Sequence, residues 1–166
     1  MSPSPYFTIP YLLLVAIFQA TAAPRLAVSG ARPDLMLLSV VAWSLLGAFR
    51  LRALQYVDEP PGLMRGINDG MVWGFVGGLF MDLLSNAPLG LSAISLMAAA
   101  IVVGIISVGV SGSASILVVL MAPLSTLVYH LVFLIGIALT GRPVFWMVEL
   151  TRVVLPGVVF NLALLP

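Results

Sequence analysis

The chain has 166 residues, of which 61% are hydrophobic and 8% charged, and its seven arginines and six acids, with no lysine, leave a formal net charge of +1. Its mean hydropathy is +1.19, whereas soluble domains are roughly 45–50% apolar and 25% charged, so no water-soluble core of this length could hide that much apolar surface. The same numbers exclude a basic nucleic-acid-binding face, a lysine-bearing phosphate loop and, with zero cysteines, any disulfide, thiol nucleophile or cysteine-based metal site. A crossing of about 30 Å of hydrocarbon takes about 20 residues, which leaves room for six or seven spans and no separate soluble domain.

Taken in chain order, the first apolar run covers 6–23 and ends at Pro24-Arg25. Ala20-Thr21-Ala22 imitates a signal-peptidase site, but Met1 to Pro5 lacks the basic residues of a secretory signal, so a retained helix is expected. The second run, 34–49, opens at Arg32-Pro33-Asp34 and closes at Arg50-Leu51-Arg52, with proline and an acid at the start and cations at the end. The polar stretch 50–64, with Asp58, Glu59 and Pro60-Pro61-Gly62, is the expected exposed loop.

The third run, 66–85, turns through Asn86-Ala87-Pro88-Leu89-Gly90 into the fourth, 91–110. Small residues from Ser111 to Ser115 then lead to the fifth, 116–139, which holds Pro123 and His130. The last is expected over 150–166, a start that keeps Glu149 and Arg152 beside Trp146 at the membrane interface, because charges at mid-membrane cost several kcal/mol and tryptophan favours headgroup level. These six helices form one all-α transmembrane bundle. Arginine counts do not orient it: with the N-terminus inside, Arg50, Arg52 and Arg65 balance Arg25, Arg32 and Arg142.

The third run carries the most informative pattern. Gly66, Gly70, Gly74, Gly78 and Asp82 recur every fourth residue with Gly77 alongside, a spacing that builds one stripe on which another helix backbone can approach closely. That helix is either a neighbour within the bundle or the membrane helix of a partner. Asp82 sits near the unfavourable, negative end of its helix dipole. The free N–H groups at the start of the next helix, around Leu89 and Gly90, are its expected partners, so the carboxylate either staples the elbow at Pro88 or has a direct functional role. Asp34, His130 and Asn161 are further candidates for a polar interior.

Pro33-Asp34-Leu-Met-Leu-Leu, the segment from Gly74-Phe-Val-Gly-Gly-Leu-Phe-Met-Asp82 to Ser85, Ala87-Pro88-Leu89-Gly90 and Asn161 in the final helix together resemble the MreD family of rod shape-determining membrane proteins. The similarity covers most of the chain, and its specific part is the Gly-Gly-Leu-x-x-Asp to Pro-Leu-Gly segment. It implies a non-enzymatic scaffold of the bacterial inner membrane, without cofactors, that binds MreC and supports peptidoglycan synthesis and rod shape. MreB, RodZ, RodA and a class B penicillin-binding protein are the implied members of the same complex. The resemblance also implies a fold similar to the substrate-binding subunits of energy-coupling-factor transporters, and an N-terminus inside the cell with the elbow outside. Family members usually continue the last helix into a basic tail, and this sequence departs from that pattern at Pro166.

Two other classes draw on residues of this chain. Gly109-Val110-Ser111-Gly112 matches the G-x-S-G of rhomboid proteases, with His130 the only histidine. Those two residues are 19 apart on a helix rising 1.5 Å per residue, roughly 28 Å, so no Ser-His dyad is expected. No metal constellation occurs either. The remaining alternative is a carrier subunit for a vitamin-like small molecule, whose site would draw on Trp73, Tyr129, His130 and Asn161.

Overall fold

A computed structural model describes residues 5–26, 33–53, 62–109 and 114–163. Among the described residues there are helices and no strands: α1 Pro5–Thr21, α2 Leu35–Ala53, α3 Gly62–Leu83, α4 Leu91–Gly109, α5 Ala114–Leu139 and a last helical stretch, α6, Trp146–Ala163. A single 3-10 turn, Ala23–Leu26, follows α1. Leu117–Leu139 and Trp146–Ala163 are long and apolar enough to cross a membrane by length and composition. Shorter apolar stretches lie at Tyr6–Thr21, Leu35–Leu46 and Leu91–Ser107.

The packing order follows from which residues leave room. The α3 glycines let α4 lie directly on α3, in the most extensive helix pairing of the molecule, and α2 covers the adjoining face. Gly70 faces Ser44 and Ala100 while Gly77 faces Met36 and Gly78 faces Ala93, so α3 runs antiparallel to both α2 and α4. α1 lies on α3 and α2; α5 lies on α4 and α2; α6 lies on α5. The core between them is filled by Leu12, Met36, Val40, Leu45, Leu96 and Val103, all buried. On one side of it Trp43 stacks on Trp73, with ring centroids 4.4 Å apart.

The surface is far more apolar than that of a protein in water, and some polar side chains lie inside. Ser44, Asp82, Ser92, Ser95, Thr126 and Asn161 are buried, while leucines, isoleucines and phenylalanines on every helix stand exposed. The buried hydroxyls are satisfied locally: Ser44 donates to the Val40 carbonyl at 2.9 Å, Ser95 to Leu91 at 2.8 Å and Thr126 to Ala122 at 2.8 Å. Among the described residues no buried side-chain nitrogen or oxygen lacks a hydrogen bond, as an interior without water demands.

Three boundaries differ from the sequence expectation by about four residues. α6 begins at Trp146, four residues ahead of 150, so Glu149 and Arg152 lie within its first two turns. It accommodates Pro156 through a π turn at Leu150–Val154, in which the Leu155 N–H reaches the Leu150 carbonyl. Proline has no N–H for the carbonyl four residues back, and a widened turn just before it relieves the clash of its ring. The expected loop at 50–64 is shorter, because α2 continues to Ala53 and α3 opens at Gly62. What remains of that loop, 54–61, lies outside the described residues, as does the turn 110–113 with Ser111.

Candidate functional site

The glycine stripe and the elbow form one unit at the end of α3. A methyl group on Gly74 would lie 3.0 Å from backbone atoms of Leu96 and Met97, and one on Gly78 would overlap the backbone of Ala93 and Ser92. At Gly78 only hydrogen fits against α4, and at Gly74 a methyl group would be tight against it. Gly77 differs, since the atom in its way is the sulfur of Met36 at the far end of a flexible side chain. At Gly70, Gly74, Gly77 and Gly78 the stripe is therefore filled by α4 and α2 of the same chain, as in the intramolecular reading.

Asp82, 4% exposed, closes the seam. Its Oδ2 accepts the Gly90 N–H at 2.7 Å and its Oδ1 the Ser92 N–H at 3.0 Å. Those donors belong to the first turn of α4, where no intrahelical acceptor exists, and the carboxylate meets the positive end of the α4 dipole. The sequence pointed to Leu89 and Gly90; the structure uses Gly90 and Ser92. Pro88 leads the turn, its carbonyl accepting the Leu91 N–H at 3.2 Å. Gly90 takes φ +92, a conformation open to glycine and strained for other residues. Ser85 Oγ accepts the Ala87 N–H at 3.2 Å inside the same elbow.

The start of α2 is tied down in a comparable way by three side chains. Asp34 Oδ1 accepts the Leu37 N–H at 3.0 Å and so caps its own helix. Gln19 of α1 donates to the Pro33 carbonyl and accepts the Leu35 N–H, both at 2.9 Å. Asn161 of α6 accepts the Asp34 N–H at 3.1 Å and donates to Thr126 of α5 at 2.9 Å. One amide thus joins α2, α5 and α6. His130 Nδ1 donates to the Thr126 carbonyl at 2.8 Å, which puts the imidazole proton on that nitrogen, and the ring packs edge-on against Tyr129 with centroids 5.2 Å apart. The Tyr129 side chain lies near Ser92, which brings this cluster close to the α4 turn that Asp82 holds.

Asp34, His130 and Asn161 therefore share one polar interior, assembled around Thr126. Thr126, Ser92, Tyr129 and Gln19 complete it; of these the sequence analysis raised only Tyr129, in another role. A lone glutamine inside an apolar helix and a Ser-Thr pair two residues after Pro123 were the available signals. The four residues considered for a carrier site divide into two groups. Trp73 stands with Trp43 and Tyr11, whereas Tyr129, His130 and Asn161 stand around Thr126. Among the described residues no group of three or more histidine, aspartate or glutamate side chains could hold a metal ion. No family model, curated protein or solved structure matches the chain.

Proposed function

We propose that this protein is a six-span helical scaffold of the bacterial inner membrane, of the MreD type, that binds the single-pass protein MreC within the cell-elongation complex. On this reading MreB, RodZ, RodA and a class B penicillin-binding protein join the complex around it, and its role is to support peptidoglycan synthesis and rod shape. The observation that carries the reading is the Asp82 staple: the residues that make the resemblance specific are those that fix the α3–α4 elbow, with both carboxylate oxygens committed to backbone N–H groups. A carboxylate spent in this way positions two helices and is not free for catalysis or for a substrate. The apolar surface supports the membrane part, since leucine, isoleucine and phenylalanine side chains facing outward are stable against lipid and unstable against water. Trp73 makes its ring contacts with Trp43 and Tyr11 and not with the Asn161 cluster, which favours the scaffold over a vitamin-like carrier, whose ligand needs convergent polar and aromatic groups.

Affinity purification from native membranes tests the reading. MreC is expected to co-purify at comparable stoichiometry. Recovery of a stoichiometric small molecule without MreC would replace the scaffold with the carrier.

A further inference from the structure

The α5–α6 turn projects beyond the elbow. α4 has 19 residues and α5 has 26, which at 1.5 Å per residue are about 28 Å and about 39 Å. The Leu91 side chain, at the start of α4, already fills the space over Gly136, so Leu139 and everything up to Trp146 lie past the level at which α4 begins. Asn161 opposite Thr126 sets α6 antiparallel to α5, and counting nine residues back along α6 and nine forward along α5 brings Arg152 to the level of Ile135. The charged residues of α6, Glu149 and Arg152, therefore stand at or just beyond the elbow.

The projecting tip is not polar, as a turn in water would be. Leu139 is 83% exposed, Phe145 70% and Met147 77%, with Trp146 half-exposed between them and the Arg142 guanidinium also exposed. The α5 helix ends in a Gly141 turn at φ +78, which sends the chain sideways. From this tip the apolar surface continues along the flanks of α5 and α6 through Ile135, Leu131, Leu155 and Val159. An aromatic pair with an adjoining arginine at the end of an apolar column matches the polarity profile of a bilayer's edge, where tryptophan prefers headgroup level and cationic side chains meet phosphate.

We propose that residues 139–147 form a lipid anchor lying in the headgroup layer on the elbow side, with Phe145 and Trp146 at the base of the headgroups and Arg142 on lipid phosphate. The proposal rests on the membrane reading above. With α4 spanning about 28 Å, close to the hydrocarbon thickness of about 30 Å, the elbow sits at one boundary and the tip falls in the polar layer just outside it.

The absence of native cysteine allows spin labels at Met147→Cys on the tip and at Leu127→Cys on the exposed middle of α5, in nanodiscs of phosphatidylethanolamine and phosphatidylglycerol. Collision with oxygen and with a water-soluble nickel chelate reads the depth of each. The expected result is a deep Leu127 label, screened from nickel, and a Met147 label at the base of the headgroups. Arg142→Gln is expected to move the Met147 label several ångströms outward. A Met147 label as open to nickel as one in water, with Leu127 still deep, overturns the anchor and leaves the membrane reading standing. Nickel access at Leu127 overturns the membrane reading itself. An unchanged Met147 depth in Arg142→Gln overturns the phosphate contact.

Discussion

Gly78→Leu is expected to give a protein that loses cooperative thermal unfolding in detergent, or melts far below the parent, and that no longer retains MreC. The position leaves no alternative, because a single added carbon overlaps the backbone of Ala93 and Ser92, and backbone cannot rotate aside as a side chain does. Overpacking a filled interior costs typically 1–3 kcal/mol and here forces the α3–α4 seam apart, so about 3 kcal/mol or more is expected. The effect should be graded along the helix. Gly74→Ala meets backbone atoms of Leu96 and Met97 at 3.0 Å and is expected to be milder, and Gly77→Ala milder again because Met36 can swing away. Gly157→Ala is the control: nothing lies within 4 Å, and alanine favours the helix by up to about 1 kcal/mol, so an unchanged or slightly raised melting temperature is expected. Equal melting temperatures across the four variants would show that the seam is not a close contact.

Asp82→Ala is expected to come next in severity. It leaves the Gly90 and Ser92 N–H groups without an acceptor at a buried helix start, at a cost of about 1–3 kcal/mol for each donor. Asp82→Asn keeps one carbonyl oxygen for one of them and loses the charge that meets the α4 dipole, so it should be milder than alanine. Because the elbow orients α4, stability and retention of MreC should fall together. Thermal melting and pull-down of both variants measure this. Parental behaviour of both would mean that the carboxylate is solvated, and loss of MreC at unchanged melting temperature would mark Asp82 as a direct contact.

The part of the site visible in the sequence is the part built locally. Asp82 and the Gly90 and Ser92 donors are eight and ten residues apart, and a glycine repeat ending in an acid just before a proline turn limits what the acid can reach. The Asp34–Asn161 bond spans 127 positions, and no periodicity carries information over that distance. Asp34, His130 and Asn161 stood out as polar residues in apolar surroundings, but Thr126, the residue that joins two of them, looks like an ordinary helix threonine. Helix ends were missed where two signals competed. At the start of α6 the charges of Glu149 and Arg152 argued for a late beginning, whereas the π turn ahead of Pro156 allows the helix to begin at Trp146 and carry both charges within it.

The central claim is that these helices cross a membrane with the elbow outside the cell, and cysteine labelling tests it most directly. Single cysteines at Asn86, on the elbow, and at Gln55, between α2 and α3, would be exposed in intact cells to a membrane-impermeant maleimide. The account predicts that Asn86→Cys reacts from outside and that Gln55→Cys reacts only after the membrane is opened. Labelling of Gln55→Cys from outside with Asn86→Cys protected would reverse the orientation, and labelling of both only after lysis would contradict a bundle whose ends lie on opposite faces of the membrane.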